Sequence, residues 1–248
     1  MTTRRAERGA WILLGELGTS RRIAGAGFAW ICLDQQHGAV DDAGLVRIAQ
    51  DLRSEPAALA VRVLENSAAA IGRAVDVGAQ IVVVPLIDDA AAARRAVTAI
   101  AYPPLGQRSW GPLTPLWGVE APQARQTAQT AQLWAMIETR GAMEHLDEIL
   151  AVDGISAAFV GPYDLSLALG MDFEDLIAAS GETAPLRRIV AACKRAGISA
   201  GAFAGNPVLA ERLEELGFDQ LAVTTDVGII DVGAELAVGG AAPRAGAY

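Results

Sequence analysis

The sequence predicts one α/β domain over residues 1–248, folded as a (β/α)8 barrel. Short runs of apolar, β-branched or aromatic residues alternate with Ala-, Leu- and Arg-rich stretches of helical period, and eight such pairs occur in the 248 residues. Most of the runs are continuously apolar, as in parallel strands covered on both faces. Eight units of this length, joined by right-handed crossovers, close into a barrel, and the strand count disfavours the alternative of a doubly wound sheet.

Each strand is predicted from a short apolar run, and each helix from the 3.6-residue period that follows it. The predicted strands cover residues 10–15, 28–33, 59–63, 81–84, 133–137, 157–160, 198–202 and 220–223. The predicted helices cover residues 20–27, 45–52, 68–77, 90–100, 141–150, 186–196, 208–216 and 227–238. Gly78, Gly197 and Gly217 follow three of these helices, where glycine is typical of a C-terminal cap.

Residues 101–122, "AYPPLGQRSWGPLTPLWGVEAP", interrupt this alternation. The segment is rich in Pro, Gly and Trp and is longer than an ordinary connection between a helix and a strand. We expect it to form a lid over the site or a contact between subunits. The chain from about residue 239 shows no apolar period, and we expect a flexible tail there.

Composition excludes several classes of protein. A net charge of −9 and a pI near 4.8 oppose binding to nucleic acid, and no run of basic residues offers an exception. No apolar run approaches the length of a membrane span, and the first residues lack the apolar core of a signal peptide. Cys32 and Cys193 are isolated and form no CxxC motif, so we expect both to be reduced. These features are typical of a cytoplasmic enzyme.

Catalytic residues of such barrels lie at the C-terminal ends of the strands. The chain places few polar side chains there: Glu16, Asp34, His37, Arg62, Glu138 and Asp164. Asp34 and His37 follow the apolar run "AWICL", which we interpret as barrel wall that carries both residues to the rim. Either could instead cap the next helix, but histidine is the commonest general base, so His37 is a candidate for that role.

Arg62 ends an apolar strand, where a guanidinium is costly to bury unless an anion meets it. The anion could be a protein carboxylate or the carboxylate of a substrate. His145, the only other histidine, lies within a predicted helix and is interpreted as structural. Lys194 is the only lysine, and its position before the seventh strand places it at the opposite end of the barrel, so Schiff-base catalysis has no lysine to use.

Glu138 and Asp164 follow the fifth and sixth strands and should project into one mouth. Two converging carboxylates repel unless one is protonated or a cation lies between them. A glycosidase pair or two unrelated helix caps are the alternatives. Together with Arg62 and His37, a hard divalent metal and a small anionic substrate explain the set more economically.

The motifs "AGAGFAWICLDQQHG", "AYPPLGQRSWG" and above all "MIETRGAMEHLDEILAVDGISAAFVGPYDLSLALG" make the chain similar to the HpcH/HpaI aldolases. The resemblance runs from about residue 9 to residue 238. It is most specific in the last motif, which fixes two acids 26 residues apart. The resemblance implies a class II, metal-dependent enzyme that makes or cleaves 4-hydroxy-2-oxo acids, with pyruvate or another 2-oxo acid and an aldehyde as its substrates.

The same resemblance implies a role for each candidate residue. Glu138 and Asp164 would bind Mg²⁺, Mn²⁺ or Co²⁺, and Arg62 would bind the carboxylate and carbonyl region of pyruvate. His37 would be the base, paired with Asp34, and the metal would stabilise the pyruvate enolate. Backbone groups of Gly161, Pro162 and Tyr163 would line the pyruvate site. The resemblance also implies a homo-hexamer in which subunits exchange their C-terminal helices.

Two residues depart from the family pattern. Gln36 stands where the family commonly has Glu, so a charge beside the base is absent. Trp110 stands where small residues are frequent, and we expect it to reshape the acceptor pocket. The residues also leave two other functions open: a related metal-dependent lyase or decarboxylase acting on oxaloacetate or a thioester, and a non-catalytic barrel that binds an anion or a sugar.

Overall fold

The computed structural model describes residues 5–120 and 131–239, and within them eight parallel strands close into a barrel in chain order. The strands are β1 Glu7–Ile12, β2 Trp30–Asp34, β3 Ala58–Arg62, β4 Ile81–Val84, β5 Gln132–Met136, β6 Ile155–Val160, β7 Ser199–Phe203 and β8 Gln220–Thr225. Every neighbouring pair is parallel, and β8 pairs with β1 to complete the closure. The predicted (β/α)8 barrel is confirmed.

Helices follow every strand within the described ranges. They are α1 Leu17–Ala24, α2 Asp42–Leu52, α3 Ala68–Asp76, α4 Ala90–Ile100, α5 Arg140–Glu144, α6 Leu146–Leu150, α7 Pro162–Leu169, α8 Phe173–Ala178, α9 Pro185–Ala196, α10 Pro207–Leu216 and α11 Asp226–Ala237. A 3₁₀ helix spans Thr114–Trp117. The expected bounds of β4 and α4 are confirmed without change.

Three local differences from the prediction have physical reasons. The first strand ends at Ile12, because the N–H groups of Leu13 and Leu14 donate to the carboxylate of Asp226. The predicted helix over 141–150 is divided at His145, which lies between α5 and α6. Two helices, α7 and α8, were not predicted, because the Gly-Pro step before α7 is also typical of a loop.

Aromatic side chains fill the barrel interior. Trp11 and Trp134 both stack on Phe159, with 5.5 Å and 5.7 Å between the ring centroids. Trp30 meets Trp134 edge to face at 5.3 Å. A second, larger apolar cluster lies between the strands and the surrounding helices. The barrel is therefore a packed core whose open end carries the polar residues.

The segment that interrupts the alternation packs against the other end of the barrel. Arg108 forms an ion pair with Asp76, the last residue of α3, and the backbone N–H of Leu113 donates to the Asp76 carbonyl. Arg53, just after α2, donates to the carbonyl of Trp117. Residues 101–120 thus lie by the C-terminal ends of α2 and α3, away from the mouth. These contacts lie away from the mouth of the barrel, and a role of the segment in a contact between subunits remains a prediction.

Trp110 belongs to this segment, and its ring lies tilted against that of Tyr102, with 5.4 Å between ring centroids. The expected effect of Trp110 on the acceptor pocket stays a prediction. Residues 121–122 of the segment, and the predicted flexible tail beyond residue 239, lie outside the described residues. Within the described ranges, no helix is long and apolar enough to cross a membrane.

Gly9 makes room for the barrel core, and its replacement gives a test of the packing. A Cβ atom at Gly9 would lie 2.2 Å from the Trp30 ring, which is held by its aromatic neighbours. We expect Gly9→Ala to lower the free energy of unfolding by about 1–3 kcal/mol, as overpacking does. Gly72→Ala is the control, since a Cβ there meets nothing within 4 Å, and we expect a gain of about 0.5–1 kcal/mol. Urea denaturation followed by circular dichroism measures both, and equal effects would contradict this packing.

Candidate active site

Alternation along the strands directs four candidate residues to the inside of the barrel. In β2 the buried interior residues Trp30 and Cys32 belong to the inner cluster, so Asp34 shares their face. The same period places Arg62 beyond Ala60 in β3. In the same way, Glu138 follows the inward residues Trp134 and Met136. Gly161 follows the inward residues Ala157 and Phe159, and all four of these buried residues belong to the inner cluster. The strand period therefore gathers the acids and the arginine at one mouth.

Asp34 and Arg62 are paired residues in the register of β2 and β3 and form a two-point ion pair. Nε of Arg62 donates to Oδ1 of Asp34 at 2.8 Å, and an Nη2–H donates to Oδ2 at 2.5 Å. Asp34 is fully buried and Arg62 nearly so. The sequence left open whether the anion that meets Arg62 is protein or substrate, and the structure shows a protein carboxylate on two of its nitrogens.

Further donors surround the Asp34 carboxylate. Nε1 of Trp11 donates to Oδ2 at 3.1 Å, and the backbone N–H groups of Gln36 and His37 donate to Oδ1 at 3.0 and 3.2 Å. Burial alone would raise the pKa of Asp34, but the hydrogen bonds and charge of Arg62, with Trp11 and the His37 N–H, outweigh it and hold the pKa below its ordinary value. Asp34 is therefore a fixed negative charge.

One carboxylate oxygen of Glu138 and one of Asp164 approach the point where a Cβ atom of Gly161 would stand. A Cβ atom on Gly161 would lie 3.2 Å from Oε2 of Glu138 and 3.2 Å from Oδ2 of Asp164. The two oxygens can therefore be no more than twice that distance apart. Oε1 of Glu138 accepts the N–H of Leu86 at 2.9 Å, and Leu86 has a φ of 54°, an uncommon conformation for a residue other than glycine. The expected convergence of these two acids is present in the structure.

The charge of this pair is only partly compensated by the protein. Glu138 is 5% exposed, and its burial raises the pKa of the carboxyl, with the charges of Asp164 and Asp88 adding to the effect. The Leu86 N–H and the nearby positive charge of Arg62 oppose the rise without cancelling it. Such a site favours a bound cation or a proton.

The donor set fits a hard divalent metal. Two carboxylate oxygens lie beside Gly161, each 3.2 Å from the point where a Cβ atom would stand. Among the described residues, no group of three or more His, Cys, Asp or Glu side chains could hold a metal ion. Mg²⁺ is commonly bound through one or two carboxylates, with water and substrate oxygens completing its coordination. Glu138 and Asp164 are therefore the candidate ligands.

A family model described as "HpcH/HpaI aldolase/citrate lyase" matches residues 9–230. The chain belongs to this family. The resemblance inferred from the sequence is confirmed, as is the expectation of a lyase enzyme. Members of the HpcH/HpaI family are in general metal-dependent, which agrees with the carboxylate pair.

Named relatives support the same placement. The chain is 33% identical over 234 residues to a 4-hydroxy-2-oxo-heptane-1,7-dioate aldolase of Salmonella dublin, covering 93% of this chain and 88% of the relative. It is 32% identical over 227 residues to a 2-dehydro-3,6-dideoxy-6-sulfogluconate aldolase of Pseudomonas putida, covering 91% and 88%. A crystal structure of an HpcH/HpaI aldolase/citrate lyase family protein from Burkholderia cenocepacia J2315 superposes with a TM-score of 0.86 at 26% identity, covering 95% and 94% of the two chains.

The other candidate residues lie around this mouth. His37 is exposed in the loop after β2, and its described contact with Asp34 is made by the backbone N–H. A pairing of its imidazole with Asp34 remains a prediction. Oε1 of Gln36, the departure from the HpcH/HpaI pattern, is buried and has no hydrogen-bond partner among the described residues. Glu16, after β1, is exposed.

The residues after β6 form the start of α7. Gly161 is its N-cap and Pro162 its first residue, and both are buried. Tyr163 is 49% exposed, and its ring lies 6.2 Å from that of Phe173. The structure thus brings the predicted substrate-binding residues beside Asp164, while their contact with a substrate remains a prediction.

Sequence reasoning missed Trp11, which supports Arg62 from below. The guanidinium carbon of Arg62 lies 5.2 Å from the Trp11 ring centroid, a cation–π distance, and Trp11 also donates to Asp34. The alternation of inward residues in β1 was the only signal that could have found it. Lys194 lies in the last turn of α9, before β7, which agrees with its predicted place away from the mouth.

Removing the Asp34 charge tests the buried pair. We expect Asp34→Asn to lower the free energy of unfolding by about 3–5 kcal/mol, because Arg62 keeps a buried charge without its partner. Asp42→Asn is the matched control: its two-point pair with Arg73 is exposed, and about 0–1 kcal/mol is expected.

The pH dependence of the same comparison has a definite sign. The folded pKa of Asp34 is lowered, so its contribution is present above the unfolded pKa of about 3.9 and is lost as pH falls through the folded pKa. The stability difference between wild type and Asp34→Asn should therefore narrow below about pH 4. Urea denaturation at a series of pH values measures it, and a gap that widens in acid would refute the assignment of a fixed charge to Asp34.

Proposed function

We propose that the protein is a class II aldolase that reversibly cleaves 4-hydroxy-2-oxo acids to pyruvate, or a related 2-oxo acid, and an aldehyde. The observation that carries the proposal is the convergence of Glu138 and Asp164 in the same mouth as the buried Arg62. Relatives named as aldolases of 4-hydroxy-2-oxo-heptane-1,7-dioate and of a sulfogluconate derivative support this reaction type.

Glu138 and Asp164 would hold Mg²⁺, Mn²⁺ or Co²⁺. When bound, such an ion acts as a Lewis acid toward the keto oxygen and carboxylate of the 2-oxo acid, which makes the adjacent methyl protons more acidic. Glu138 is aligned for this role by its hydrogen bond to the Leu86 N–H. Gly161 contributes by having no side chain to press on the two acids.

Arg62 binds the carboxylate of the 2-oxo acid. Its Nε and Nη2 atoms are used by Asp34, whereas Nη1 has no hydrogen-bond partner within residues 5–120 and 131–239. Nη1 can therefore donate to the substrate while Asp34 and the Trp11 ring fix the guanidinium. Asp34 is a positioning residue in this scheme, and backbone groups of Gly161, Pro162 and Tyr163 line the same side of the mouth.

His37 acts as the general base. In the synthetic direction it removes a methyl proton from pyruvate, directly or through water, and the resulting carbon nucleophile attacks the aldehyde. In the cleavage direction it takes the proton of the 4-hydroxyl group. Its place in the loop after β2 and the anchoring of its backbone N–H on Asp34 support this role. The lone lysine at the far end of the barrel leaves the metal-dependent route as the one this chain supports.

The working unit is proposed to be a homo-hexamer with exchanged C-terminal helices. After its first turn, α11 leaves a run of apolar side chains exposed, including Ile230, Val232 and Leu236. A helix that is apolar on its exposed face is typical of a subunit contact. We also propose a cytoplasmic location, which agrees with two buried, unpaired cysteines.

Metal binding should be visible without any activity measurement. We expect saturating Mg²⁺ to raise the melting temperature, since an ion at 100 times its Kd adds about 2.7 kcal/mol of stability. Glu138→Gln and Asp164→Asn should each abolish the shift, because each removes the negative charge of one of the two candidate ligands beside Gly161. Glu16→Gln, the exposed acid after β1, should keep it. Dialysis against EDTA should abolish aldol activity until Mg²⁺, Mn²⁺ or Co²⁺ is added, and full activity after exhaustive dialysis would disprove the metal site.

The two histidines provide a matched test of the base. We expect His37→Ala to slow the exchange of pyruvate methyl protons in D₂O by about 10²–10⁴ while the Mg²⁺ shift in melting temperature remains. His145→Ala should retain exchange, since Nδ1 of His145 is engaged with the carbonyls of Asp88 and Gly141. NMR of pyruvate measures the rate. Wild-type exchange in His37→Ala would require another base, and no exchange in the wild type would favour a non-catalytic anion-binding barrel.

A further inference from the structure

A cavity of about 350 Å³ opens beside the candidate site, between the loops that follow β6, β7 and β8. Its aromatic and aliphatic walls come from Tyr163, Phe173, Phe203 and Leu209. This volume is at the lower end of the roughly 300–1,000 Å³ typical of small-molecule pockets. The cavity is therefore large enough for a small organic side chain.

Two of the residues that line the cavity adjoin the candidate site. Tyr163 precedes the candidate metal ligand Asp164 in the first turn of α7. On the other side, the Phe203 ring meets the Trp11 ring edge to face at 5.5 Å, and Trp11 in turn lies under Arg62. The cavity therefore lies next to the mouth that holds Arg62 and the two acids.

The cavity wall carries no charged side chain within the described part of the chain. The described residues that line it include no Asp, Glu, Lys, Arg or His. Two of its polar side chains are already used as helix caps: Asn206 accepts the N–H of Leu209, and Thr225 accepts the N–H of Gly228. An anionic group placed there would lose its hydration without meeting a cation, which is costly.

We propose that this cavity binds the side chain of the acceptor aldehyde and that the enzyme uses uncharged, apolar aldehydes in preference to carboxylated ones. The inference rests on the proposed aldolase function and names its acceptor class. Small aromatic or medium-length aliphatic aldehydes match the walls, because their apolar surface is removed from water against Phe173 and Phe203.

The test compares two acceptors in pyruvate addition, hexanal and succinic semialdehyde. We expect the wild-type kcat/KM for hexanal to exceed that for succinic semialdehyde by about tenfold or more, as expected for an apolar pocket that gives an anion no partner. Leu209→Arg places a cation in the cavity wall and should lower the ratio by at least tenfold. Val208→Arg is the matched control, since Val208 is the exposed neighbour on α10 and does not line the cavity; its ratio should stay as in the wild type.

Two further readouts separate the possible failures. Pyruvate proton exchange should be equal in the wild type and both variants, and its absence in the wild type would contradict the aldolase function itself. Saturation-transfer NMR with benzyl alcohol, which cannot react, tests the cavity alone: binding should be lost in Leu209→Arg and retained in Val208→Arg. A wild-type preference for succinic semialdehyde would overturn the proposal. A second result would also overturn it: the Leu209→Arg oligomer dissociates, as measured by light scattering, while the ratio of kcat/KM for the two aldehydes is unchanged. The cavity would then be a contact with a second copy of the chain.

Discussion

The buried pair of Asp34 and Arg62 is the interaction on which the mouth of the barrel depends. It joins the ends of two neighbouring strands, and its carboxylate also holds Trp11 and the backbone of the loop that carries His37. A guanidinium at this depth is tolerated because its counter-charge arrives in register from β2. The same pair therefore fixes the positions of the Arg62 charge, of the Trp11 ring that it contacts and of the loop that carries His37.

A second constraint is the two-residue period of the strands. Each strand that fills the barrel with an aromatic or aliphatic side chain presents its next inward residue at the rim, so packing and chemistry are parts of one pattern. Glu138 follows the buried Met136, and Gly161 follows the buried Phe159. A shift of one residue in either strand would turn the acid or the glycine toward the helices.

Much of this arrangement could be predicted from the sequence. Continuous apolar runs and helical periods predicted the barrel, and the position of polar residues after those runs predicted Asp34, Arg62, Glu138 and Asp164 as neighbours. The partner of Arg62 could not be predicted in the same way, because the sequence allowed either a protein anion or a substrate anion. Only the strand register shows that Asp34 binds two nitrogens of Arg62. Contacts between distant rings, such as those between Phe203 and Trp11, follow from barrel closure and have no local signal.

The absence of a side chain at Gly161 also bears on how related barrels should be sorted. The carboxylates of Glu138 and Asp164 approach the point where a Cβ atom would stand, while nothing else about position 161 demands glycine, since its φ is the ordinary −91°. An alanine or serine here would therefore suit the backbone and the barrel, but both carboxylates would have to give way by a few tenths of an ångström. Residue 161 is accordingly a position at which the geometry of the acid pair can change while the scaffold stays the same.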